Sequence, residues 1–201
     1  MLGCLIKDIK NILPILLYYV LIVAVFYAIS AIVKNVYLFS GTLVFVAVMG
    51  PMQAFAYDEK DNWDKFALAA GVSRAELVFS RYLLGLVFFA PIWLIGFTLL
   101  FFISAEVLPV LLMFGGAGLL VLSVCLPLIF KRGVENARAA YMIVLLGVLA
   151  VCVGIGALCG TLFESLPDLL LFTACALVGV SVLSLVISVF LSLNIYKKKD
   201  F

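Results

Sequence analysis

The chain has 201 residues, 67% hydrophobic and 12% charged, with a formal net charge of +2 and no histidine. Soluble domains hold roughly 45–50% apolar and about 25% charged residues, and no soluble interior of this size encloses so much apolar side chain, so lipid is the solvent. Without histidine, HExxH zinc chemistry, histidine proton relays and Ser-His-Asp triads are excluded.

The first eleven residues place Leu2, Leu5, Ile6 and Ile9 on one helical face, with Lys7, Asp8 and Lys10 largely elsewhere. That pattern predicts an amphipathic interfacial segment lying along the inner leaflet before it turns into a first span. A span needs about 20 predominantly apolar residues to cross roughly 30 Å of hydrocarbon. Six stretches qualify: Ile12–Val33, Val36–Ala56, Leu83–Ile103, Val110–Phe130, Tyr141–Phe163 and Leu169–Leu193, none containing Asp, Glu, Lys or Arg. The first apolar run is longer than a signal-peptide core, so it reads as a span. Pro14 falls in the first turn of that span, where a missing N–H is harmless. Only Lys34 and Asn35 separate spans one and two, which calls for a tight hairpin.

Pro51, Pro91 and Pro127 each remove a backbone hydrogen bond within a span. Gly115, Gly116 and Gly118, and the Gly156–Gly160 pair, permit close backbone approach and read as internal packing. Pro109 and Pro167 mark helix starts on the outer side, with Ser165 as N-cap, and Gly160–Asp168 has the length of a short re-entrant hairpin. Cys4, Cys125, Cys152, Cys159 and Cys175 show no paired spacing, and those in spans act as small apolar residues.

Cations orient the chain. Lys7, Lys10, Lys60, Lys65, Arg74, Arg81, Lys131, Arg132, Arg138 and Lys197–Lys199 fall on one side, and only Lys34 on the other. By the positive-inside rule both termini are cytoplasmic, in agreement with an even number of spans. The fold class is therefore all-α: one polytopic transmembrane domain of six helices covering residues 1–201. The basic tail anchors to lipid headgroups and is not a nucleic-acid site.

The segment 57–82, YDEKDNWDKFALAAGVSRAELVFSRY, carries most of the remaining information. Asp58 to Asp64 is dense in charge and reads as solvated. Trp63, Phe66, Ala67 and Ala70 follow helical spacing, and Gly71 stops that helix. Ser73-Arg74-Ala75-Glu76 is a capping box that starts a new helix running into span three. The alternatives for the short helix are a docking point for a soluble partner or an interfacial helix with Trp63 and Phe66 among headgroups.

Glu59, Asn62, Trp63, Ser73, Arg74, Val78, Ser80, Arg81 and Tyr82 stand in a pattern that resembles the ABC-2 type permeases, closest to small six-helix bacterial exporters of toxic or amphipathic peptides. Ala70-Gly71 departs from the Leu-Pro common in that family, while a helix-ending turn is kept. The resemblance implies a permease subunit in a bacterial cytoplasmic membrane, powered by a separate cytoplasmic ATPase that binds ATP and Mg. It implies that Asn62–Ala70 is the coupling helix, with Trp63 and Phe66 as anchors, that Glu59, Gly71, Ser73, Arg74 and Arg81 belong to the same ATPase-coupling set, and that Arg74 and Arg81 stay near the hinge. It also implies a second copy or a homologous permease to complete the pathway. The residues themselves add that no G-x-x-x-x-G-K-[ST] phosphate loop occurs, and that Gln53 is the strongest polar group in any span. A pathway walled by Phe, Leu, Val and Ser suits an amphipathic or hydrophobic cargo; which residues line it is unassigned. The competing reading is a small channel, scramblase or secondary carrier acting alone.

Overall fold

The structure is a computed structural model, and it describes residues 2–103, 107–162 and 167–198. Ser165, Glu106 and Glu164 lie outside the described residues, as do the side chains of residues 155–169, so the Gly156–Gly160 pair, Cys159 and the Gly160–Asp168 hairpin are not tested. The helices are α1 (Leu2–Val33), α2 (Val36–Asp61), α3 (Trp63–Ala69), α4 (Arg74–Phe97), α5 (Leu99–Phe102), α6 (Val107–Leu162) and α7 (Pro167–Lys197). They carry the six membrane spans, because α6 contains two.

The break in α6 is Gly133, at φ 78° and ψ 173°. Contacts with α2 show that the chain reverses there. On the arm before Gly133, Phe114 meets Tyr37 and Phe130 meets Phe55. On the arm after it, the Val134 N–H donates to Glu59 and the Tyr141 hydroxyl to the Phe45 carbonyl. The first arm thus descends along α2 and the second climbs back. The inner connection between spans four and five is a single-residue corner, and residues 134–140, read from sequence as a connecting stretch, are already helical.

α1 also departs from expectation. It runs from Leu2 to Val33 without a turn, so the N-terminal segment and the first span form one rod. Its inward stripe is Cys4, Asp8 and Ile12, continuing to Tyr19 and Val23, whereas Ile6 of the supposed apolar face is 51% exposed. Pro14 therefore sits well inside the helix and not in its first turn, where it deprives the carbonyl four residues earlier of a donor. The α1–α2 hairpin is as tight as predicted: Lys34 takes φ 56°, the Asn35 Oδ1 accepts from the Tyr37 N–H, and the Ser30 Oγ donates to the Asn35 carbonyl at 2.7 Å.

Burial is distributed as lipid demands. In the most apolar stretches of α1 and α7 only 17% of residues are buried, against 69% in α2 and 72% in α6. α2 and the first arm of α6 form the centre, and α1, α4 and α7 are packed outside them. Gly115 is required by this packing, since a Cβ there would stand 2.3 Å from the Trp93 indole, which donates to the Leu111 carbonyl at 3.1 Å. Pro51, Pro91 and Pro127 lie within α2, α4 and α6. Four cysteines, Cys4, Cys125, Cys152 and Cys175, are free thiols.

Gly133 supports a direct test. An added Cβ would strike the Glu59 Oε1 at 2.7 Å, and its φ disfavours any L side chain. Gly133→Ala is expected to destabilise the detergent-purified protein by about 1–2 kcal/mol, read as a lower thermal unfolding midpoint. Gly147→Ala, which meets nothing within 4 Å, is expected to be neutral or stabilising.

Candidate functional site

The inner face is organised around charges that sequence reading treated as solvated. Asp58 is 5% exposed and Asp8 1% exposed. Arg81, at the base of α4, donates to Asp8 Oδ2 at 2.5 Å and is ion-paired through its second guanidinium nitrogen with Asp58. The Lys7 Nζ lies 2.5 Å from Asp58 and 3.0 Å from Asp8. Two cations and two carboxylates thus form a closed, charge-balanced quartet joining α1, α2 and α4. A guanidinium suits this place because its planar fork serves two carboxylates at once. The Phe55 ring lies 5.0 Å from the Arg81 guanidinium carbon. Burial is the main cause that holds the Lys7 ammonium below the ordinary lysine range, with Asp8 opposing it.

α3 is fixed to this quartet. Asn62 ends α2 in the left-handed conformation, φ 51°, and so turns the chain into α3. Trp63 is half-buried, 4.2 Å from the Lys7 Nζ and 5.3 Å from Phe66 ring to ring. Ala67 is 1% exposed, whereas Phe66 is 63% exposed. The apolar stripe expected along α3 is therefore divided: Trp63, Ala67 and Leu68 pack on the bundle, Phe66 faces outward, and Ala70 is exposed as the C-cap.

The turn into α4 matches its local code. Gly71 takes φ 85°. The Ser73 Oγ accepts from the Glu76 N–H at 3.2 Å, and the Glu76 carboxylate accepts from the Ser73 N–H at 3.0 Å, completing the capping box. The bond from the Ser73 backbone, first among several, holds the Glu76 carboxyl below its usual range. Arg74 reaches the other end of the chain, donating to the carbonyls of Tyr196 and Lys197 at 3.2 and 2.5 Å. That places a cation at the C-terminus of α7, where the helix dipole favours it. Burial, and then the neighbouring Asp64 of α3, raise the Tyr196 hydroxyl well above the usual tyrosine range. Tyr82 bonds to both Ser188 and Ser192 of α7, at 2.5 and 2.8 Å.

Glu59 performs a separate task. Its Oε1 accepts from the Val134 N–H at 2.8 Å and so caps the second arm of α6 at the Gly133 corner. Of the residues singled out from sequence, Asn62, Trp63, Phe66, Ala70, Gly71, Ser73, Arg74 and Arg81 belong to one unit of α3, the α4 base and its supports, while Glu59 belongs to the α2–α6 seam. Lys7, Asp8 and Asp58 were missed. Their one sequence signal is the stripe Cys4–Asp8–Ile12, where a charge replaces the apolar residue expected between two buried neighbours.

The described residues thus form a helical bundle with a short helix, α3, tied to its inner rim and one aromatic, Phe66, left outward on that helix. The sequence profile described as "ABC-2 family transporter protein" matches residues 3–197, nearly the whole chain, and the chain belongs to that family. It is accordingly a multi-pass membrane protein of a transport family. Comparison with curated proteins and with solved structures finds no match.

The quartet is testable by charge counting. Arg81→Ala leaves two buried carboxylates with Lys7 alone and is expected to cost about 3–5 kcal/mol of unfolding free energy in detergent. Arg81→Met combined with Asp8→Leu restores neutrality and is expected to recover at least half of that loss. A cost for Arg81→Ala below about 1 kcal/mol, the level of an exposed pair, would remove the quartet from the account.

Proposed function

We propose that this chain is the membrane subunit of an ATP-driven exporter, with α3 as the segment that a separate cytoplasmic ATPase grips. The observation that carries the proposal is the divided character of α3. Its inward side is tied to the bundle by Trp63 and Ala67, while Phe66 is 63% exposed, and Asp61 and Lys65 are exposed too. A residue held outward on a helix that is otherwise rigidly seated suits an anchor for an apolar pocket on a partner, since buried aromatics dominate interface energetics. The chain has no phosphate-binding loop of its own, so ATP and Mg belong to the partner in this reading.

The distribution of ionisable groups supports an external energy source. Ion-driven carriers hold protonatable or ion-binding side chains within their spans. Among the described residues, the buried charged groups Asp8, Asp58 and Arg81 lie at the inner rim and are paired with one another and Lys7. Two copies of the chain, or the chain with a homologous permease, would enclose the pathway, in a bacterial cytoplasmic membrane. The lining available to such a pathway is Phe-, Leu-, Val- and Ser-rich, which suits a short amphipathic peptide or a lipid-like molecule.

The test is isolation of the tagged chain from its native membrane with whatever ATPase activity accompanies it. Phe66→Asp is expected to reduce the co-isolated activity by roughly tenfold or more, the scale of one interface hot spot, and Phe190→Ala on the lipid-facing side of α7 to leave it unchanged. Retention of full activity by Phe66→Asp would exclude α3 as the docking element. Transport by the purified chain in ATP-free liposomes would instead establish a carrier or channel acting alone, and export of a fully polar solute in place of an amphiphile would overturn the cargo class.

A further inference from the structure

Two cavities meet at Arg138, on the inner side of the seam between α2 and the second arm of α6. The first, of about 420 Å³, is walled by Glu59 and Lys60 of α2 and by Arg132, Glu135 and Arg138 around the Gly133 corner. The second, of about 330 Å³, is lined by Met49, Met52 and Gln53 of α2 and by Arg138, Tyr141 and Met142 of α6. Passing from one to the other moves about seven residues along α2, or about 10 Å of helix toward the middle of the membrane. The corresponding shift along α6 has the same sense, because the second arm climbs as α2 descends. A polar basin at headgroup level therefore opens into an apolar slot at acyl-chain level, with one arginine common to both.

The basin's charge selects its occupant. Three cations face two carboxylates, and the Glu59 Oε1 already accepts from the Val134 N–H. Among the described residues no ion pair joins Glu59 or Glu135 to Lys60, Arg132 or Arg138. Both arginines are exposed to whatever fills the basin. Guanidinium groups favour phosphate, to which they donate in pairs, and the three methionines of the slot adapt to irregular apolar shapes. A phosphodiester carrying acyl chains has these two parts in this order, and the termini-inside topology sets the basin at the cytoplasmic leaflet.

We propose that this seam binds one anionic phospholipid of the inner leaflet, with its phosphate against Arg132 and Arg138 and an acyl chain in the slot formed by Met49, Met52 and Met142. The site is distinct from the quartet and from α3, and it does not depend on the identity of the ATPase or the cargo. A lipid held there bridges the Gly133 corner to α2, so that leaflet composition reaches a corner where two spans are joined by a single residue.

The experiment is native mass spectrometry of the detergent-purified chain titrated with phosphatidylglycerol, phosphatidylethanolamine or phosphatidylcholine of matched chain length. Phosphatidylglycerol is expected to bind about tenfold more tightly than either zwitterionic lipid, in keeping with the attraction of two basic side chains for an anionic headgroup. Arg132→Gln with Arg138→Gln is expected to abolish that preference, whereas Lys10→Gln with Lys65→Gln, the same charge loss elsewhere on the inner face, keeps it. Met142→Trp leaves every charge in place, fills the slot, and is expected to weaken phosphatidylglycerol binding severalfold. Equal affinity for the three lipids, equal losses in the two double variants, or full displacement of the lipid by glycerophosphoglycerol without chains would each overturn the proposal.

Discussion

The structure depends on a neutral cluster of four charges placed where the membrane gives way to cytoplasm. Asp8, Asp58 and Arg81 are almost wholly buried, and a buried charge without its partner is costly enough to unfold a marginal protein. Each member is affordable only because the others are present, so α1, α2 and α4 must meet at one height and in one rotation. Lipid supplies no hydrophobic driving force between helices, and apolar surfaces alone would let these rods slide or turn with little penalty. The quartet removes that freedom at the inner ends. Well-packed apolar replacements often match or exceed a buried ion pair in stability, so the cluster is better understood as a register device than as a source of net free energy.

α3 inherits its placement from the same cluster. Lys7 pairs with the carboxylates and also stands over the Trp63 ring, so the first turn of α3 is held by the N-terminal rod as well as by α2. Farther along, Gly71 and the Ser73 capping box set the start of α4, and eight residues later Arg81 returns to the quartet. The loop closes on itself: α2 to α3 to α4 and back through a salt bridge. Under the proposed docking, a partner that displaces α3 displaces α1, α2 and α4 with it, and reaches α7 through Arg74 and the Tyr82–Ser188–Ser192 contacts. A floppy loop with the same composition could bind a partner but would pass on little of its motion.

What the sequence made legible was local. The capping box, the Gly71 turn and the Lys34–Asn35 hairpin depend on neighbours within a few residues, and each is found where the pattern puts it, whereas the third apolar stretch, expected as one helix, is interrupted at Thr98 between α4 and α5. The quartet joins residues separated by 51 and 73 positions, and charges beside a span are ordinarily solvated, so composition argued for water around Asp58. The divided face of α3 was hidden for a related reason. Helical periodicity groups Trp63, Phe66, Ala67 and Ala70, but which part of that arc turns inward is set by Lys7 and the core above it. α1 misled in the opposite direction. In lipid the most apolar face points outward, so Ile6 is exposed while Asp8 is enclosed, and the inward stripe is found by its small and polar members.

These features share a pattern: the polar contacts that fix helix positions concentrate at the inner rim. Besides the quartet, Glu59 caps the second arm of α6 at Gly133, and Arg74 holds the C-terminus of α7. Deeper in the bundle the helices meet through smaller groups, as where Ser123 bonds to Ser184 at 2.7 Å and the Ser188 hydroxyl donates to the Ser123 carbonyl. Serine contacts of this kind in membranes average well under 1 kcal/mol and re-form readily with a neighbouring carbonyl. Such a bundle is stiff at its cytoplasmic end and adaptable above it. A displacement applied at the rim is therefore spent on the weakest interfaces, the serine and aliphatic seams within the membrane, and not on the ionic joints that receive it. Under the proposed docking, that ordering of strengths would pass motion received at the rim into the membrane, and it follows from where the charges sit, whatever molecule is carried.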